Sequence, residues 1–125
     1  MRTPAPTLTP QELSIMKVVW RLESATVRDV YEHLRTKRTV AYTTILTMMK
    51  VLEHKGYVKK TRTDRAFVYR STKPRAQVIG GMVREFVDRV FDGASQPMLL
   101  HLVREARLTD KDRKALLRAI EEVEE

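Results

Sequence analysis

The sequence predicts a mainly α protein with one small β-hairpin, divided into a basic unit over residues 1–73 and an all-helical unit over residues 74–125. Three observations predict this. Apolar residues return every three or four positions through most of the chain, as they do in helices with one buried face. Two adjoining β-prone runs, residues 57–62 and 66–70, interrupt that pattern once and read as a hairpin. The charge is also unevenly divided: residues 1–73 hold 15 Lys and Arg against 6 Asp and Glu, whereas residues 74–125 hold 9 against 10. All of the net +8 therefore comes from the first unit, the footprint of a surface that meets a polyanion.

Thr9-Pro10-Gln11-Glu12 is a capping box with proline at the first helical position, and it opens a helix that runs to about Leu22. Leu13, Met16, Val19 and Trp20 form its apolar face. Thr26 and Asp29 open a second helix, which turns Val27, Val30, Tyr31 and Leu34 inward and sets Asp29 near the positive end of the helix dipole. Residues 36–39 are a polar connection. A third helix follows, and Gly56 stands where a left-handed C-cap belongs. Trp20, Tyr31, Ile45, Leu52, Tyr57 and Phe67 are the expected core, small but adequate for a unit of about 65 residues.

The third helix has two faces. Ile45, Met48, Met49 and Leu52 follow the spacing of a buried stripe. Thr43, Thr47, Lys50 and His54 run down the other side without an acid among them. A helix buried on one side and offering hydroxyls and cations on the other suits a DNA major groove. Three helices and a hairpin in this order read as a helix-turn-helix followed by a wing. Thr43, Thr47 and Lys50 are the base-reading candidates, since threonine can bond a base edge or touch a thymine methyl and lysine can reach guanine. Tyr42 and Thr44, in the first turn, are placed to meet phosphates. On the hairpin, Lys59, Lys60, Arg62 and Arg65 read as backbone clamps, with Arg65 at the tip as a groove probe. Each sign alone is common on solvated surfaces; their joint occurrence on the charged unit points to double-stranded DNA.

The second unit begins after Lys73 and Pro74. A long helix over residues 75–92 carries Ile79, Met82, Val83, Phe86, Val87, Val90 and Phe91, and Gly93 ends it. Gly80 and Gly81 lower its helicity by about 1 kcal/mol each relative to alanine, so something must compensate. Ser95 and Pro97 open a further helix with Leu99, Leu100, Leu102 and Val103. Thr109 and Asp112 open the last, with Leu116, Leu117, Ile120 and Val123. About 50 residues bury too little apolar surface to stand alone without a staple or a partner. The chain has no cysteine, so a second copy is the expected solution. Ile79, Met82, Val83, Phe86, Val90, Leu99, Leu102, Leu116 and Ile120 are the expected homodimer face.

Other chemistry finds little support. Without cysteine there is neither a disulfide framework nor a thiolate metal site, and His33, His54 and His101 lack ligand spacing. No Gly-rich phosphate loop or nucleophile motif is present, so no catalytic residue, cofactor or metal is expected, and the chain does not read as an enzyme. No apolar run approaches the roughly 18 residues of a membrane span. With no signal-like segment, a cytoplasmic protein without membrane insertion is expected.

The chain resembles the penicillinase-repressor (BlaI/MecI) family of winged-helix transcriptional repressors from Leu8 to Glu125. The resemblance rests on an ordered set of motifs: residues 8–13, 16–20, 26–30, 41–44, 52–58, 65–70, 91–93 and 99–103. It implies a homodimer on a palindromic operator, with the third helix in the major groove, controlling β-lactamase or related genes. It also implies relief of repression by a sensor-linked protease that cuts in the dimerisation unit, near His101 and Leu102. The composition leaves two other readings open, an architectural binder with weak sequence preference and a winged helix that binds proteins.

Overall fold

Eight elements follow one another in the computed structural model, which describes residues 7–105 and 108–124. They are α1 (Pro10–Leu22), α2 (Val27–Leu34), α3 (Tyr42–His54), β1 (Val58–Arg62), β2 (Phe67–Ser71), α4 (Arg75–Phe91), α5 (Ser95–Glu105) and α6 (Asp110–Glu124). The expected mainly α architecture with a single hairpin is what the chain adopts. No described helix is long and apolar enough to cross a membrane.

Local signals explain where the helices begin and end. Thr9 and Glu12 form a reciprocal capping box on α1, and Thr26 and Asp29 form another on α2. Thr109 and Asp112 repeat the same exchange ahead of α6, at 3.1 and 3.0 Å. The end of α3 is a full Schellman motif. Gly56, at φ +87°, donates its amide to the Glu53 carbonyl, and the Tyr57 amide donates to the Leu52 carbonyl. A side chain at Gly56 would strain a backbone that glycine adopts freely.

The chain separates into two compact units, Met1–Met82 and Val83–Glu125. The sequence places a boundary at Lys73 and Pro74, where α4 is about to start; the units themselves part within α4. The reason is packing: Val78 is buried in the first unit's core and Met82 lies partly against it. Met82, expected on the dimer face, is thus engaged with the N-terminal core.

The N-terminal core joins α1, α2, α3 and the hairpin. Ile15, Met16, Val19, Val30, Ile45, Met49 and Leu52 are fully enclosed. Of the expected core, Ile45 and Leu52 are at its centre, while Trp20, Tyr31 and Tyr57 line its edge half-buried. Phe67 is a correction, being 43% exposed. It pairs with Arg62 at the outer end of the hairpin, past the reach of the helices. Tyr69, two residues along on the same face of the strand, takes the inner position at 2% exposure. One pairing has no sequence signal at all: Ala25, between α1 and α2, exchanges both backbone hydrogen bonds with Tyr69 and adds a one-residue bridge to the sheet.

One buried ion pair fastens this unit. Glu12 is 4% exposed, and its Oε1 accepts from the Thr9 amide and from Lys55 Nζ, both at 2.8 Å. The start of α1 is thereby held to the end of α3. Burial by itself would raise the Glu12 carboxyl, but the Lys55 ammonium and Thr9 outweigh it and hold the group below its usual range. A carboxylate depressed on folding stabilises fully above its unfolded pKa and loses that contribution as pH falls through its folded value. Glu12→Gln should therefore cost about 1.5–3 kcal/mol at neutral pH, as expected for a hydrogen bond to a charged group. Urea unfolding should show the gap to wild type closing as the buffer is taken into the acid range where carboxylates protonate.

In the second unit, Val87 is buried. Phe86 and Phe91 meet edge-on at 5.9 Å, and Phe91 packs on the His101 ring at 5.8 Å, joining α4 to α5. Most of the remaining large apolar side chains are open to solvent, among them Val83, Phe86, Val90, Leu99, Leu102, Leu116 and Ile120.

Candidate nucleic-acid interface

Burial of one side of α3 determines what its other side can present. With Ile45, Met49 and Leu52 enclosed and Leu46 and Met48 half-buried, Thr43, Thr47, Lys50 and His54 are all exposed. The stripe carries no acid. The acidic residue of α3, Glu53, is half-buried and turned toward the wing, where Lys60 Nζ lies 3.8 Å away.

The start of α3 is open to an anion. Its N-cap is Ala41, whose side chain offers no hydrogen bond to the first turn. The orphan amides and the positive end of the helix dipole therefore face solvent there. Tyr42 stands at the same end, 40% exposed, its ring held edge-on against Tyr31 of α2 at 5.5 Å. Thr44 is exposed beside it. Thr47 is more specialised than its type suggests. Its hydroxyl donates to the Thr43 carbonyl at 3.0 Å, which uses up its only proton. What remains for a partner is the methyl group and the oxygen as an acceptor.

The wing divides its cations between two faces. The register pairs Val58 with Ser71, Lys60 with Tyr69 and Arg62 with Phe67 on one face, and Lys59 with Arg70 and Thr61 with Val68 on the other. Lys60 sits 4.6 Å over the Phe67 ring as well as beside Glu53, and Arg62 lies 6.0 Å from that ring. Phe67, missing from the core, is the platform under these two cations. Lys60 thus spends part of its charge inside the protein, while Lys59, Arg62, Arg65 and Lys50 pair with no carboxylate among the described residues. Arg65 is exposed in the tip turn, which the Thr63 amide closes on the Ala66 carbonyl at 2.9 Å.

Arg70 escaped the reading of the sequence. It stands directly across from Lys59, and like charges so placed repel unless an anion lies against both. The expected tip at residues 63–65 would have set Lys59 opposite Tyr69; the turn closed by Thr63 and Ala66 shifts the register by one residue and brings Arg70 there. Lys37 and Arg38, exposed in the connection before α3, add two more cations near its start.

The stripe, the open helix start and the wing all belong to one packed unit, and comparison with known proteins identifies what such a unit is. Residues 8–122 match the penicillinase repressor family. The chain is 35% identical over 115 residues to the transcriptional regulator BlaI of Mycobacterium tuberculosis, covering 90% of this chain and 82% of that one. It is 27% identical over 117 residues to the penicillinase repressor of Bacillus licheniformis, covering 94% and 91%. The solution structure of monomeric Bacillus licheniformis BlaI with the blaP half-operator superposes with a TM-score of 0.52 at 30% identity, over 58% of this chain and 89% of that one. The chain belongs to the penicillinase repressor family, a family of DNA-binding transcriptional repressors and not of enzymes.

Proposed function

We propose that this protein represses transcription as a homodimer that reads a palindromic operator, one α3 in the major groove of each half-site. The observation that carries the reading is the outer stripe of α3, exposed along its length, free of acids and bordered by unpaired wing cations. Thr43, Thr47 and Lys50 read base edges; Tyr42, Thr44 and the first-turn amides grip phosphate. Lys59, Lys60, Arg62 and Arg65 hold the backbone, Lys60 with less freedom because of Glu53 and Phe67. β-Lactamase or related antibiotic-response genes are the proposed targets, by kinship with repressors that carry that name.

The second unit supplies the partner contact. Phe86, Val90 and Ile120 are between 43% and 49% exposed, too much apolar surface for three helices to leave in water. Gly80 and Gly81, in the part of α4 that belongs to the first unit, support the same reading. A Cβ at either would meet nothing within 4 Å, so the single chain offers no packing reason for glycine in mid-helix. A closely approaching second helix would. Proteolysis near His101 and Leu102 by a sensor-linked protease would break α5 and with it the dimer. The operator then empties because two joined heads bind with a high effective concentration that one head lacks.

Three measurements test this. If 6–10 phosphates are neutralised per dimer, operator affinity should fall roughly 10³–10⁵-fold between 50 and 200 mM salt, and a flat response would sink the DNA reading in favour of a protein-binding one. Thr47→Ala should lower operator affinity by about 1–3 kcal/mol with little change on random duplex, whereas Arg65→Ala should weaken both alike. Equal loss on both duplexes after Thr47→Ala would mean an architectural binder. The double variant Phe86→Glu with Val90→Glu should sediment as a folded monomer and lose at least about a hundredfold in operator affinity, the scale of lost bivalency. A variant that stays dimeric would refute the assigned face.

A further inference from the structure

The N-terminal unit has a second surface, which shares only Lys37 with the candidate nucleic-acid interface. It is a groove of about 970 Å³ bounded by α1, the last turn of α2 with the connection after it, and the first residue of α4. Its inner wall is apolar: Val18 and Leu34 are buried, and Trp20 is half-buried. Trp20 Nε1 donates to Ser71 Oγ at 3.0 Å, which satisfies the polar edge of the indole and fixes the ring in place. Four of the outer residues are cations, set among Ser14, Glu32, His33 and Thr36. Lys17 and Arg21 come from α1, Lys37 from the connection into α3, and Arg75 from α4, all exposed.

Among the described residues these four cations have no counter-ion. The acid that borders the groove, Glu32, is already used by Arg35 at 2.9 Å and Arg28 at 4.0 Å. A wall that needs apolar cover stands beside charges that need an anion.

We propose that this groove binds an amphipathic organic anion, a carboxylate carried on a cyclic or branched apolar body. Charge complementarity defines the head group, since a guanidinium holds a carboxylate through two parallel hydrogen bonds. The inner wall defines the body. An inorganic anion would leave Val18, Trp20 and Leu34 uncovered, and a neutral apolar molecule would leave the cations unpaired. The volume is that of an ordinary small-molecule site, roughly 300–1,000 Å³. Thr36 and Lys37 border the groove and lead directly into α3, so occupancy bears on how α3 is presented. That consequence rests on the repressor reading; the binding itself does not.

Trp20 is the only tryptophan of the chain, so its fluorescence reports the groove without a label. The full-length protein without DNA is titrated with cyclohexanecarboxylate, and in parallel with cyclohexanemethanol and with sulfate. The carboxylate should change Trp20 emission saturably, with both controls at least roughly tenfold weaker because each lacks half of the match. Arg21→Ala should weaken the carboxylate roughly tenfold with unchanged circular dichroism, and Lys17→Ala should act in the same direction. Sulfate binding as well as the carboxylate, an unaffected Arg21→Ala protein, or no response to the carboxylate would each overturn the proposal. Operator affinity is titrated separately. If Arg21→Ala lost operator affinity as Arg65→Ala does, the groove cations would be phosphate contacts and the anion site would be refuted, whereas failure of operator binding in the wild type would refute only the repressor reading.

Discussion

Burial of the inner stripe of α3 is the constraint on which the rest of the molecule depends. Ile45, Met49 and Leu52 are fully enclosed by α1, α2 and the hairpin, and a helix with 3.6 residues per turn then has one way to face. Thr43, Thr47, Lys50 and His54 are outside because those three are inside. The ends of the helix are held independently. Tyr42 rests edge-on against Tyr31 at one end; at the other, the Schellman motif at Gly56 and the Lys55–Glu12 pair fix where α3 stops. The aim of the exposed stripe is therefore a property of the core and not of the stripe.

Electrostatics then makes that face selective for an anion. Four of the acids in the basic unit have structural duties that remove them from the interface. Glu12 pairs with Lys55, Asp29 caps α2, Glu32 holds Arg28 and Arg35, and Glu53 meets Lys60. What is left over is positive apart from Glu23 and Asp64, the latter exposed at the wing tip. The same arithmetic leaves cations unpaired in the groove beside Trp20, so one basic unit offers two anion-seeking surfaces of different shape. The helix stripe with its wing suits a duplex; the groove suits a small molecule with an apolar body.

The second unit follows a different logic. Its helices are well marked in the sequence, yet Val87 is its only buried side chain among the large apolar residues described. A unit of this size cannot enclose what it carries. On the proposed reading, the surface that the isolated chain leaves unsatisfied holds two heads together, and losing it costs affinity without altering a base contact.

Much of the fold was legible in advance because it is written locally. Thr9 with Glu12, Thr26 with Asp29, Gly56, and the recurring apolar spacing of α1, α3 and α4 each act over a few residues, and each formed the element it signals. The exposed stripe of α3 followed from the same periodicity. The errors and omissions are all non-local. Phe67 and Tyr69 share a strand face, and only the distance to which the hairpin outruns the helices decides that Tyr69 is enclosed and Phe67 is not. Lys60 and Arg62 look alike along the chain, but the approach of α3 to the wing sends one of them to Glu53. The sequence by itself determined which segments are helices, which face of each is apolar and where the charge lies, since caps and periodicity act between neighbours. Only the tertiary structure decided which cations are free, that Ala25 joins the sheet and that the units part within α4, because those outcomes depend on how close distant segments come.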